Sequence, residues 1–455
     1  VKTAVVILAA GEGTRMKSSI PKVLHPVCGV PMLLNVINAA SGLKPEKTIV
    51  VAGRHIDRIR QETEASEAVC VRQEQPKGTA DAVRSAESAL KGFRGIVLVM
   101  NGDTPLVRTS TLRSFVSRHK KSKCGISVLS FPADDPTGYG RIVRDGAGKF
   151  MSIVEEKDAD SDVRNICEVN SGVYAINHDL LSLLRHIGIN RKKGEYYLTD
   201  IIPVALDRGI TASAVMIGEE TEFMGVNTRT ELLRASELMR MAVISGLIDK
   251  GVNLVDPASV FISPSAAVGR DSTLYPNVFI EGNSRIGNGT VIYPHARISR
   301  SRIGSNAVIK DSTVIEDSVV KSGASVGPFA HIRPGSVIGE NSKVGNFVEL
   351  KKALFGKGVK ASHLSYIGDA VVGNDVNIGA GTITCNYDGR NKHRTVIGDD
   401  VFVGSDTQLV APVKVGKGAY IGAGSTITQD VPERALAVSR TRQRNIEGWA
   451  GRRRK

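Results

Sequence analysis

Three places along this chain hold residues whose types and spacing could do chemistry. The first is Leu8-Ala9-Ala10-Gly11-Glu12-Gly13-Thr14-Arg15-Met16, with Pro21-Lys22 close behind. Glycines let the backbone approach a phosphate closely, and the exposed N–H groups can form an anion-binding nest. Arg15 and Lys22 add positive charge. A G-x-G pair alone is equally an ordinary tight turn; the two cations beside it favour a phosphate loop. The second place is Asn101-Gly102-Asp103. An Asp at the end of a strand suits Mg2+, which takes few carboxylates alongside phosphate oxygens. The bland alternative is a cap for a helix starting at Thr104. The third place is His363, in Ser362-His363-Leu364-Ser365-Tyr366. A neutral imidazole near pH 7 is a competent general base, although a lone histidine is as readily a satisfied structural residue. Arg333 and Lys351 offer a phosphate two cations, and Asn386-Tyr387 follows further along.

The elements that must position these residues are of two kinds. Over residues 1–227 short apolar runs alternate with helix-like stretches. Residues 4–10, 48–52, 95–100 and 125–130 read as buried strands, and residues 31–40 and 79–90 as helices. Such alternation predicts a Rossmann-like α/β domain whose mainly parallel sheet is covered on both faces. Ligands of these sheets lie beyond the carboxyl ends of the strands, which is where the glycine loop and Asp103 fall. Residues 228–249 predict a linker helix, with Leu232, Ala235, Met239, Ala242 and Val243 on one face.

From about residue 250 the pattern changes. Ile-Gly or Val-Gly pairs recur at Val268, Ile286, Ile303, Val326, Ile338, Val344, Ile367, Val372, Ile378, Ile397, Val403, Val415 and Ile421. Their intervals are mostly six residues or near-multiples of six. This is the hexapeptide repeat of a left-handed parallel β-helix, in which three hexapeptides close one triangular coil. A Gly/Ser-rich linker has no reason to keep Ile and Val in phase. The repeat therefore predicts an all-β domain over residues 250–455, ending in a basic tail. Breaks in the beat are expected at residues 350–362 and 382–395, and insertions in a solenoid map to loops on one face.

The bulk figures narrow the class. A chain of 455 residues exceeds one hydrophobic core. Hydrophobic content of 41% with 23% charged residues fits a soluble protein, and no stretch has the length and apolarity of a membrane span. Five scattered cysteines without C-x-x-C spacing argue for a reducing compartment and against thiolate metal sites. The net charge of +14 raises nucleic acid as a partner. However, +5 of that excess lies in the last fifteen residues, and aromatics are only 5%, leaving little for base stacking. Small phosphorylated ligands explain the charge at least as well.

Taken together, these motifs resemble the bacterial bifunctional N-acetylglucosamine-1-phosphate uridylyltransferase / glucosamine-1-phosphate N-acetyltransferase family, nearly end to end. The resemblance implies a UTP and UDP-sugar site formed by Leu8, Ala9, Ala10, Gly11, Lys22, Gln73, Gly78, Thr79, Asn101, Gly102 and Asp103. Gly140, Glu155, Asn170, Tyr197 and Asn227 complete it, and Asp103 with Asn227 would hold Mg2+. Lys22 and Arg15 would offset charge as a sugar-1-phosphate oxygen attacks the α-phosphorus of UTP. For the acetyltransferase, the resemblance makes His363 the general base and Asn386 a second catalytic residue. Arg333, Lys351, Tyr366 and Asn377 hold the sugar phosphate, and Ala380, Asn386, Tyr387, Ser405, Ala423 and Arg440 line the acetyl-CoA site. It further implies a cytoplasmic homotrimer acting on small molecules, without nucleic acid or membrane insertion. Three positions depart from the family pattern: Glu12 where Lys is frequent, Asn101 where an aromatic is common, and His331 where Arg is usual. Two other readings remain. One is a nucleotidyltransferase whose β-helix serves assembly only, and the other is a basic solenoid that binds an anionic polymer or surface through its tail.

Overall fold

In a computed structural model, residues 2–190 and 194–452 are described. The chain divides into two compact units, Val1–Met239 and Arg240–Lys455.

Unit 1 is built on one mixed sheet. Its central strand, Thr3–Ala9, pairs in parallel with Lys47–Ala52 on one side and Ile96–Asn101 on the other. The order across the main path is Ala212–Met216, Ile126–Pro132, Glu168–Asn177, Ile96–Asn101, Thr3–Ala9, Lys47–Ala52, Val69–Arg72. Glu168–Asn177 runs antiparallel to both neighbours, and a side hairpin of Arg141–Arg144 and Phe150–Val154 joins it. Strand pleating sends alternate side chains to opposite faces. Val5 and Ile7 accordingly join one core cluster while Ala4 and Val6 join the other, all fully buried. Each Val or Ile so buried stabilises the fold by about 1.5–3 kcal/mol. The helix expected over residues 79–90 is shorter, Thr79–Ser85, and continues as turns.

A helix spans Arg229–Ile248, and the boundary between the units falls inside it. Ala235, with Leu232 and Met239, packs on Val27, Met32 and Val226 of unit 1. Ile244 and Leu247 belong to the core of unit 2. Serving two cores turns the buried stripe partway along the helix, so Ala242, expected on the buried face, is exposed.

Unit 2 is the left-handed parallel β-helix that the hexapeptide beat implies. Its strands are two to four residues long and stack into three parallel sheets of eleven, ten and nine strands. Each strand pairs with the one a coil ahead. One inward row runs Ile280, Ile298, Ile315, Ile332, Leu350, Ile367, each fully buried. Residues 350–362, expected to break the repeat, keep register instead. Phe355 and Ala361 take the inward positions there, so the coil is regular without an Ile-Gly signature. The true interruption follows Cys385. Ile383 pairs with Gln408, a spacing of 25 residues where the preceding rung takes 17, and residues 386–394 form the extra loop. No helix among the described residues is long and apolar enough to cross a membrane.

Candidate active sites

In unit 1 the loop after Thr3–Ala9 reaches Gly13, whose φ of +63° is left-handed. A Cβ there would lie 2.5 Å from the Lys22 Cβ. The bare backbone is therefore what lets the segment carrying Lys22 fold against the loop. The Lys22 ammonium donates to Asp103 Oδ2 at 2.5 Å and to Asn227 Oδ1 at 2.9 Å. Asp103 follows the carboxyl end of Ile96–Asn101, and Gly102 N–H donates to Leu8 O across the adjacent strand end.

Asn227 is fixed from two directions. Val226 N–H donates to Asp103 O at 2.9 Å, and the Glu231 carboxylate accepts from the N–H groups of Asn227 and Thr228 at 2.6 and 2.9 Å. Thr228 Oγ1 in turn accepts from Glu231 N–H at 3.2 Å, closing a capping box at the start of the Arg229–Ile248 helix. Glu231 thus holds Asn227 in place. The Thr-x-x-Glu spacing signalled it in the sequence, but the role was not assigned.

Two chambers open on this centre and share Leu8, Thr79, Asn101 and Asp103. One is lined by Ala10, Gly11, Gln73, Gly78 and Tyr197. Within it Gln73 Nε2 donates to Gly78 O and Asp81 Oδ2, at 3.2 and 2.9 Å, so the amide is held rather than free to rotate. The other chamber is lined by Gly140, Glu155, Asn170 and Asn227. Asn170 Nδ2 donates to Tyr174 Oη, and its Oδ1 accepts from Gly172 N–H, both at 2.9 Å. Burial pushes the Tyr174 phenol far up, so it stays protonated. Arg141 is 2% exposed and pairs with Glu156 at 2.7 Å, which ties together the hairpin ends next to Gly140 and Glu155. Ala9 and Gly102 sit at the strand ends beneath. Arg15 is the outlier: it is exposed on the Thr14–Met16 turn, lines neither chamber, and makes no ion pair among the described residues. Glu12 lies 3.8 Å from Arg54.

In unit 2, Arg333, Lys351 and Gly368 occupy one row on three successive rungs, and His331, Glu349 and Tyr366 occupy the row two residues earlier. Arg333 is paired with Glu349 at 2.8 Å. The Lys392 ammonium beside Lys351 pushes that lysine below its ordinary pKa, with desolvation and Arg333 adding to the effect. Cations crowded this way favour a bound anion. Lys392 was not among the sequence candidates, because only the folded loop 386–394 returns it to the Lys351 row.

Gly368 leaves its place in the row empty. A Cβ there would sit 2.5 Å from Tyr366 Oη and 2.9 Å from Asn386 Nδ2, so the missing side chain makes room for both. Asn386 is 7% exposed. His363 is exposed at the end of Lys360–His363, and its Nδ1 lies 2.6 Å from Asn346 Oδ1 on the rung before. An amide oxygen only accepts, so Nδ1 carries the proton and Nε2 keeps its lone pair. Asn346 was also missed, although it stands one coil, 17 residues, before His363.

Ala380, Ser405 and Ala423 follow one corner of successive coils. Asp406 N–H donates to Ala380 O at 2.7 Å, Gly424 N–H to Ser405 O at 2.8 Å, and Arg440 to Ala423 O at 2.6 Å. Small side chains in line make a shallow trough. Tyr387 is 60% exposed. Asn377 lies on a different sheet from Arg333, Lys351 and Tyr366, level with Lys360, and is not brought to their rows.

Residues 5–168 match the MobA-like NTP transferase domain, and residues 314–415 match the GMPPB C-terminal domain. Over full length the chain is 49% identical to the Bifunctional protein GlmU of Thermodesulfovibrio yellowstonii, across 451 residues and 99% of each chain. It is 46% identical to the protein of that name from Pelobacter propionicus, covering 98% of this chain and 97% of the other. The Geobacter sulfurreducens protein, also 46% identical, is covered to 99% on both sides.

Proposed function

The chain belongs to the family of bifunctional GlmU proteins, and on that premise we propose how its two units divide the synthesis of UDP-N-acetylglucosamine. Unit 2 transfers acetyl from acetyl-CoA to glucosamine-1-phosphate, giving N-acetylglucosamine-1-phosphate and CoA. Unit 1 joins that product to UTP, giving UDP-N-acetylglucosamine and diphosphate. The observation that carries this reading is kinship over 99% of the chain, which takes in both units rather than one.

In unit 1 the sugar phosphate takes the chamber of Gly140, Glu155 and Asn170, and the nucleotide takes that of Gln73, Gly78 and Thr79. The two meet at Asp103. Asp103 and Asn227 already converge on a cation, the Lys22 ammonium, and an oxygen-only pair with one carboxylate fits Mg2+. The ion, when bound, neutralises phosphate charge. Lys22 then turns to the phosphates, and the N–H groups around Gly11 and Gly13 receive oxygens as the sugar-phosphate oxygen displaces diphosphate. Catalysis here is mostly positioning and charge. Arg15 acts from the rim.

In unit 2 the Arg333, Lys351 and Lys392 cluster holds the phosphate of the amino sugar, with Tyr366 and Asn377 around the ring. His363 Nε2 takes one proton from the amine as its nitrogen attacks the thioester carbon. The C–S bond then breaks and CoA leaves as the thiol after reprotonation. Ala380, Ser405, Ala423, Tyr387 and Arg440 receive the CoA chain. The protein works as a cytoplasmic homotrimer. Phe329 and Phe347 support this: they stack 5.5 Å apart on the surface at 53% and 56% exposed, with Leu364 at 61% beside His363. Flat-faced prisms with such a ridge close readily around a three-fold axis.

The test is the coupled conversion of glucosamine-1-phosphate, acetyl-CoA and UTP to UDP-N-acetylglucosamine. His363→Ala and Asp103→Ala should each stop it alone, and mixing the two variants should restore it. Failure of the mixture, with both variants folded, would sink the reading of independent sites.

A further inference from the structure

Asp369 lies between the short strands Tyr366–Gly368 and Ala370–Val372, at a left-handed φ of 47°. Three hydrogen bonds fix it. Its N–H donates to Lys351 O at 2.8 Å, its carbonyl accepts from Thr395 N–H at 3.2 Å, and its Oδ2 accepts from Asn386 Nδ2 at 2.5 Å. It therefore touches the coil before, the returning end of the 386–394 loop, and the buried amide at the root of that loop. The Asn386 main chain is equally held, donating to Thr384 O at 2.9 Å and accepting from His393 N–H at 2.8 Å.

A carboxylate has no proton to give, so only the NH2 edge of Asn386 can face Asp369. The flipped amide would bring two acceptors into contact. Asn386 Oδ1 is consequently the free edge, and it accepts no hydrogen bond among the described residues. We propose that Asp369 is a positioning residue for acetyl transfer: it locks Asn386 so that the side chain presents an acceptor to the incoming nucleophile. This rests on the reading of the His363 cleft as the acetyl-transfer site. It also gives a physical basis for choosing an amine over a hydroxyl. A neutral primary amine has two N–H bonds, one for the His363 imidazole and one for Asn386, and keeps its lone pair for the acyl carbon. A hydroxyl has one proton, which the base alone consumes, and leaves Asn386 Oδ1 without a donor.

The experiment measures CoA release from acetyl-CoA and glucosamine-1-phosphate by the full-length protein, with uridylylation by the same samples as the fold control. Asp369→Asn, whose amide offers either edge, should lower acetyl-transfer kcat on the order of 10- to 100-fold, the range of a lost hydrogen bond to a charged group. KM for the sugar phosphate should change little. The exchange Asp369→Asn with Asn386→Asp restores one donor and one acceptor across the contact and still turns an oxygen outward. It should recover most of the lost rate, which a merely structural role would not do. Full activity in Asp369→Asn, or a double variant no better than the single one, would overturn the proposal. Absence of CoA release from the wild-type protein would instead bring down the acetyl-transfer reading on which it rests.

Discussion

Replacing Gly13 by alanine strikes the phosphate loop in two ways at once. The backbone there sits at φ +63°, which costs an L-residue about 1–2 kcal/mol. The new methyl would stand 2.5 Å from the Lys22 Cβ. That neighbour is anchored to the main chain, so the overlap is relieved by moving backbone, at about 1–3 kcal/mol. Together they come to about 2–5 kcal/mol, or roughly 4–20 °C in the melting of a unit this size. The functional loss is larger than the stability loss. Lys22 must leave Asp103 and Asn227, and a displacement of about 1 Å at a phosphate-transfer centre costs on the order of 10²-fold. Uridylylation, followed as diphosphate release, should fall by that factor while CoA release by unit 2 stays at the wild-type rate. Gly11→Ala is the paired control. Its φ is not left-handed and its Cβ would meet nothing within 4 Å, so stability should hold while KM for UTP rises. Gly13→Ala with wild-type kcat/KM for UTP would refute the argument that the bare residue delivers Lys22.

Chelation of divalent ions should abolish uridylylation and leave CoA release intact, since only unit 1 carries the Asp103 and Asn227 oxygens; loss of both activities would contradict this. Lys392→Ala should raise KM for glucosamine-1-phosphate several-fold with little change in kcat, and should weaken the dependence of that KM on salt. Stability of unit 1 should fall in mild acid through His119. This side chain is 2% exposed, bonded to Ser127 and Asn177, and held below the ordinary histidine pKa by burial. Its contribution is complete above the unfolded pKa of about 6.5 and is lost as the pH drops below that value, because the unfolded chain then takes up the proton first. His119→Gln should flatten the melting-temperature profile between pH 7 and 5; an unchanged slope would exclude His119 as the cause.

How legible the molecule was depends on how local each signal is. The Thr3–Ala9 strand, the glycine loop and Asp103 are neighbours in sequence or sit at strand ends, where composition marks them. The aliphatic beat declares the β-helix because every coil repeats the same packing. The coil at residues 350–362 was misread since Phe355 and Ala361 fill inward places that Ile or Val takes on other rungs. Asn346, Asp369 and Lys392 were passed over for a different reason. Each acts through a partner on another rung, loop or strand end, and a polar residue on a solenoid face has the same local pattern whether or not it grips something. Arg15 shows the converse: its type and spacing suited a phosphate loop, while the fold leaves it exposed and outside both chambers.

The stacked architecture of unit 2 has a further consequence. Because every rung pairs with the next in the same parallel register, the prism can gain or lose a whole storey, about 4.8 Å of height, without altering the storeys above it. Excising the turn of chain between Arg285 and Arg302, which are register partners, removes such a storey from a level that carries none of the acetyl-transfer residues. Tinkering by whole turns alters height and spares chemistry; cutting by any other length throws the inward aliphatic column out of line. Corner loops such as 386–394 escape that constraint, because the rungs on either side keep their register around them, and there added side chains can meet a substrate without disturbing the stack.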